Sequence, residues 1–214
     1  MRNKVRLFID KRDVEIKCTE DRIINITGMI GSGKTTQADK YRKDNNYIVI
    51  SLDCLYRGQD KENMNEETMK INQILEKKFP KQDNEKYFKK YYYEIIEYIN
   101  NFDKSIIWVL EGQHIYRYLN LEDVKGKLII KRTCIIKCWK RSIIRHIKKK
   151  KLQLNNGQIT KKQYYDNIIF WIKRRTGQLK YYRDLNKMLN EVYNTRINCE
   201  DINQRKICYI KNDI

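Results

Sequence analysis

Gly28-Met29-Ile30-Gly31-Ser32-Gly33-Lys34-Thr35 is the stretch that decides how this 214-residue chain is read. It fits the spacing G-x-x-x-x-G-K-[ST], in which main-chain N–H groups cradle phosphate oxygens. Gly28 and Gly33 allow backbone angles that a side chain would strain, and they let amides approach an anion closely. Successive N–H groups then form a concave nest, and a helix starting near Lys34 adds the positive end of its dipole. Lys34 is expected to reach the β- and γ-phosphates of a nucleoside triphosphate, and the Thr35 hydroxyl to ligate Mg²⁺. Gly31, Ser32 and Thr36 complete the candidate phosphate site.

Working outward, Arg22–Thr27 reads as a short buried strand entering the loop, and Thr36–Lys43 as a helix leaving it. That order of strand, loop and helix is the context the spacing requires. Tyr47–Leu52 is a second strand, ending at Asp53. Helical periodicity covers Glu62–Phe79 and Asn84–Phe102, with Pro80 between them. Ser105–Leu110 is a third strand running into Glu111-Gly112, and Lys127–Thr133 a fourth. A basic helix spans Ile135–Lys151 and is broken by Asn155-Asn156-Gly157. Further helices cover Thr160–Arg175 and Gln178–Tyr193, and Arg205–Lys211 is a last strand. Val5–Ile9 and Val14–Cys18 alternate apolar and polar residues and are expected to form an N-terminal β-hairpin. The alternation of strands and helices predicts an α/β fold with a mostly parallel five-stranded sheet covered on both faces. Ligands in such sheets sit beyond the carboxyl ends of the strands. This directs attention to residues 28–35, Asp53, Glu111 and the segment after Thr133.

Charge is unevenly spread. The net charge is +19, yet Lys125–Lys187 alone holds 20 lysines and arginines against two acids, Asp166 and Asp184. An abundance of lysine through compositional drift does not explain so lopsided a distribution. A negatively charged partner, nucleic acid included, is expected to meet residues 125–187. No apolar run reaches 18 residues, so no membrane span is expected. The first residues are not followed by a long apolar stretch, so no secretory leader is expected. Six scattered cysteines are expected to be reduced thiols in a cytoplasmic protein. Cys134 and Cys138 lack a second ligand pair at zinc-site spacing.

Three stretches carry a resemblance to the P-loop kinases. Val109-Leu110-Glu111-Gly112-Gln113-His114-Ile115-Tyr116-Arg117 is similar to the acid–Gly turn after the third core strand, a Glu-Gly in uridine kinases and an Asp-Gly in adenylate kinases. Ser51-Leu52-Asp53 resembles the strand-end aspartate of shikimate-, gluconate-, polynucleotide- and zeta-toxin-type kinases. Trp139-Lys140-Arg141-Ser142-Ile143-Ile144-Arg145 resembles a lid helix carrying R-x-x-x-R. The resemblance implies a three-layer P-loop NTPase fold over residues 22–210. It also implies a single domain over residues 1–214, with the hairpin at 1–20, the core at 22–134 and 176–214, and a basic helical lid at about 135–175.

The activity so implied is ATP-dependent phosphoryl transfer with Mg²⁺. Lys34 and the metal would act on one side of the γ-phosphate, and Arg141 and Arg145, one helical turn apart, would close on the other. Asp53 is the candidate for accepting the proton of an acceptor hydroxyl or holding it in line. Glu111 and Asp53 are candidates, with Thr35, for holding the metal. Arg57, His114 and Arg117 are candidate acceptor-site groups. The expected acceptor is a nucleoside- or nucleotide-like hydroxyl or phosphate, or else a nucleic acid. A non-kinase ATPase working through a partner is the alternative from another class. The chain has no L-S-G-G-Q stretch and no N-K-x-D base-reading motif. Tyr87, Tyr91, Tyr92, Tyr93, Trp171, Tyr181 and Tyr182 leave base stacking and core packing both open at this stage.

Overall fold

The computed structural model describes residues 13–18, 22–57, 66–78, 85–176, 179–197 and 205–210. Strand β1 (Asp13–Cys18) is followed by β2 (Ile23–Gly28), helix α1 (Lys34–Tyr41), β3 (Tyr47–Ser51) and the short α2 (Leu52–Arg57). Then come α3 (Glu66–Lys78), α4 (Glu85–Asn100), β4 (Ile107–Glu111) and α5 (His114–Tyr118). Strand β5 (Lys127–Lys131) precedes the long helices α6 (Ile135–Asn155), α7 (Lys161–Thr176) and α8 (Leu179–Ile197), and β6 (Arg205–Ile210) ends the series.

The strands form one sheet in the order β3-β4-β2-β5-β1-β6. β3, β4, β2 and β5 are parallel to their neighbours, while β1 runs antiparallel to both β5 and β6. The fold is therefore α/β around a parallel sheet of four strands. The expected count of five becomes six, because β1 is itself a strand of the sheet. Both of its edges are taken, by β5 over Val14–Ile16 and by β6 along its whole length. The other expected arm, Val5–Ile9, lies outside the described residues.

Period-two alternation divides the parallel strands between two cores. Ile24, Ile26, Val49, Val109 and Ile129 point to one face and pack with Ala38 of α1. Ile50, Trp108, Leu110, Leu128 and Ile130 point to the other, against Ile71 and Leu75 of α3, Phe88, Tyr92, Ile95 and Ile99 of α4, and Leu185 and Met188 of α8. Strands covered on both faces need apolar residues at nearly every position, which is what β2 and β4 supply. Both buried polar residues of β2, Asn25 and Thr27, are matched. Asn25 donates to the Lys125 carbonyl at 2.6 Å and accepts from the Tyr92 hydroxyl at 3.1 Å. The tyrosine run of α4 divides accordingly: Tyr91 and Tyr92 enter the core, while Tyr93 stays at the surface and donates to Asp123.

Helices α6 and α7 pack mainly on each other, and a ring stack of His146 on Trp171 (4.4 Å between centroids) joins them. Only the first half of α6 is held down, through Cys138, Ser142 and Ile143. Among the described residues, no helix is long and apolar enough to cross a membrane.

Candidate functional site

Sheet register brings the ends of the parallel strands together. Ser51 of β3 lies beside Glu111 of β4, and Gly28 of β2 beside Lys131 of β5. The loop 28–35 rises from the central strand β2, and α1 begins at Lys34 with Gly33 as its N-cap at φ 96°. The first amides of a helix have no partner within it, so those of α1 open toward the strand ends. The loop is also tightly seated. A Cβ on Gly28 would lie 2.6 Å from the Lys131 carbonyl oxygen, and one on Gly31 2.6 Å from the Cys138 carbonyl oxygen. Both glycines also have positive φ (145° and 81°), so larger residues there meet strain as well as collision. Thr27 ties the loop's base to the turn after β4, its hydroxyl donating to the Gly112 carbonyl at 2.8 Å.

A cavity of about 630 Å³ opens over these strand ends. Of the residues expected at a site, Gly31, Gly33, Lys34, Thr35, Thr36, Asp53, Glu111 and Arg145 line it. Gly28 and Ser32 do not line it, and the Ser32 hydroxyl is buried with no hydrogen-bond partner among the described residues. Arg141 donates to the Gly31 carbonyl at 3.2 Å, so the two arginines of α6 divide between the back of the loop and the cavity wall.

Electrostatics separate the two carboxylates. Burial pushes the Glu111 carboxyl above its ordinary range. Lys34 opposes that shift, the Asp53 charge adds to it, and hydrogen bonds from Ser51 and Thr35 lower it. Thr35 donates to Glu111 at 3.4 Å, and Lys34 donates to the Met29 carbonyl at 3.3 Å. Asp53 goes the other way. Burial disfavours its charge, but the hydrogen bond from His114, the nearby Lys34 ammonium and His114 ring, and the Gln113 N–H hold the carboxyl down at about 2. Three donors clamp it. The Gln113 N–H spans both oxygens at 3.0 Å, the His114 N–H lies at 3.3 Å, and His114 Nδ1 is 2.5 Å from Oδ1.

Two of the three expected acceptor-site groups fall elsewhere. The His114 side chain is completely buried, its ring among those of Tyr56, Phe88 and Tyr118. It is joined to the cavity through its hydrogen bond to Asp53, so the expected direct contact with an acceptor does not fit this buried ring. Arg117 does not line the cavity. Its guanidinium lies over the rings of Tyr118 and Tyr181 at 4.6 and 4.3 Å. Arg57 ends α2, and its side chain lies outside the described residues. Sequence reasoning missed Gln113 as a clamp on Asp53 and Ser51 as a partner of Glu111. Both stand inside the quoted motifs, so their positions were visible but their roles were not.

The donor set fits a triphosphate and a hard cation. Two carboxylates, Asp53 and Glu111, share the cavity with the Lys34 ammonium and with the guanidinium groups of Arg42 and Arg145. Mg²⁺ is held by one or two carboxylates, with substrate phosphates filling other positions. Thr35, Glu111 and Asp53 are the side chains that could hold it. Cys138 lies against the loop, and burial pushes its thiol up to about 11, so it contributes no thiolate.

No family model matches the chain, and no curated protein does so either. Among solved structures, the crystal structure of TT1252 from Thermus thermophilus is similar at 17% identity, over 81% of this chain and 96% of that one, with a TM-score of 0.35. Likeness at that level carries no argument about fold or activity.

Proposed function

We propose that the chain is a P-loop kinase domain that moves the γ-phosphoryl group of ATP to a hydroxyl or phosphate of a nucleotide-like acceptor. The observation that carries this reading is the convergence of Lys34, Thr35, Glu111, Asp53 and Arg145 on one cavity at the carboxyl ends of the parallel strands. Phosphoryl transfer asks the protein mainly for positioning and for neutralisation of charge on the moving group. Loop amides and Lys34 would hold the phosphate tail, with Arg145 also on the cavity wall and Arg141 fixing α6 to the loop. Mg²⁺, when bound beside Thr35 and Glu111, supplies further neutralisation of phosphate charge.

The acceptor oxygen bonds to the γ-phosphorus as the bond to the β–γ bridging oxygen breaks. The nucleoside diphosphate leaves with that electron pair, and the acceptor proton passes to solvent or to the transferred phosphate. Asp53, ionised down to about pH 2, is too weak a base to take that proton early. Its clamped carboxylate suits a different task, accepting a hydrogen bond that holds the acceptor hydroxyl in line. His114 and Gln113 set the direction of that carboxylate.

The test is to follow γ-labelled ATP with nucleosides, nucleotides, oligonucleotides and small hydroxyl compounds as acceptors. Label is expected in one acceptor class. Label appearing only as free phosphate, whatever is added, would replace the kinase reading with an ATPase.

A further inference from the structure

Helix α7 has an unusual outward face. Lys161, Tyr165, Ile169 and Lys173 form one row at four-residue spacing, and Lys162, Asp166, Phe170 and Arg174 the next. All eight are exposed, whereas Tyr164, Ile168, Trp171 and Ile172 are half-buried on the side facing α6. Tyr165, Ile169 and Phe170 are 63%, 52% and 58% exposed, on a face a solvated helix fills with polar residues. They are bracketed by two cations at each end, over a length of about 18 Å at 1.5 Å per residue.

We propose that this face binds single-stranded nucleic acid and that an end of the bound strand is the phosphate acceptor. The first half stands on the α7 face alone; the second rests on the phosphotransfer reading. Every base has a face that can stack on Tyr165 or Phe170, while phosphates on either side meet Lys161, Lys162, Lys173 and Arg174. Two copies of this face would repel each other, since each carries four cations against one acid. An anionic membrane fits less well, because Asp166 sits within the apolar patch and would have to leave water with it. Trp171 stacks on His146, and His146 is next in sequence to Arg145, which lines the cavity wall. Lys148–Lys151 continue the charge along α6.

The experiment uses the whole chain and a fluorescent oligothymidylate of about 12 nucleotides, followed by anisotropy without nucleotide. If four phosphates are neutralised, single-strand affinity falls about 50-fold between 50 and 200 mM salt. Tyr165→Ala with Phe170→Ala is expected to weaken binding at least about tenfold, since stacking is worth about 1–3 kcal/mol per base. Lys161→Glu with Lys162→Glu is expected to flatten the salt dependence by about two contacts. Circular dichroism confirms folding, and either pair alone suffices as a test. Binding unchanged in either folded pair, no binding of the single strand at low salt, or capture by phosphatidylglycerol vesicles in preference to the oligonucleotide overturns the proposal. Incubation with γ-labelled ATP then tests the acceptor, using oligothymidylate with a 5′-hydroxyl and with a 5′-phosphate. Label on the oligonucleotide supports the second half, and label on mononucleotides alone overturns it while leaving the phosphotransferase standing. Oligonucleotide bound as expected, with no label on any acceptor, overturns the phosphotransfer reading and the second half with it, leaving the binding surface.

Discussion

In the cavity, Lys34, Glu111 and Asp53 sit among one another's fields and hydrogen-bond partners, whereas α6 and α7 set thirteen lysines and arginines against a single acid, Asp166. The two regions adjoin through Arg141 and Arg145, yet they handle charge in opposite ways. A charge taken out of water needs fixed partners, so the cavity is geometrically determined. Most of the cations described on the helical pair are exposed to solvent, where they cost little, and the pair itself sets one acid against them. Such charge fixes no fold. It favours an external polyanion and makes the encounter salt-dependent.

The largest effect that would sharpen this contrast is expected from Lys34→Ala. Removing one preorganised donor to developing phosphate charge should cut turnover by about 10²–10³-fold, measured by label transfer at saturating ATP. Glu111→Gln should produce two effects of opposite benefit. Metal-dependent turnover falls, while the melting temperature of the nucleotide-free protein at pH 7 rises. The sign follows from its raised pKa. As pH climbs from the ordinary carboxyl value of 4.5 through the higher folded value, ionising a buried Glu111 costs stability. Asp53 has the opposite sign, because its folded carboxyl sits near 2 against an ordinary 3.8. The stability it contributes is complete above about pH 4 and is lost as pH falls toward 2. Asp53→Asn should therefore lower stability at neutral pH by about 1–2 kcal/mol, and acid titration of the melting temperature checks it.

Gly31→Ala probes the seam between the regions. With φ at 81° and the Cys138 carbonyl 2.6 Å from the added carbon, it should cost about 1–3 kcal/mol. It should also loosen α6 from the loop, read as a lower melting temperature with weaker nucleotide binding. Smallest of all is Leu152→Gln on α6. That side chain is 60% exposed, so stability should move by no more than about 0.5 kcal/mol, measured by urea unfolding.

Much of the architecture was legible because short-range signals decide it. Apolar runs mark β2 and β4, and glycines at fixed spacing mark the loop between β2 and α1. The break at Asn155-Asn156-Gly157 separates α6 from α7. Partnership between distant segments was not legible. Alternation identified Val14–Cys18 as a strand but could not say that β5 and β6, from far along the chain, would occupy both its edges. His114 looked like an acceptor-site group because its sequence neighbours are Glu111 and Arg117. Its burial follows from Tyr56 and Phe88, and its partner Asp53 is 61 residues away. The Lys125–Lys187 excess raised the expectation of an anionic partner, but only the helix-face geometry of α7 separates its exposed residues from those that pack on α6.

The central claim is that the loop from Gly28 to Thr35 grips a triphosphate tail through its amides and Lys34. Calorimetric titration of the chain with a non-hydrolysable ATP analogue and Mg²⁺, beside adenosine, addresses it most directly. The account predicts that the analogue binds far more tightly than adenosine and that Lys34→Ala removes at least about 100-fold of that affinity. Equal affinity for adenosine and the triphosphate analogue, or a Lys34→Ala variant that binds as the parent does, would contradict it.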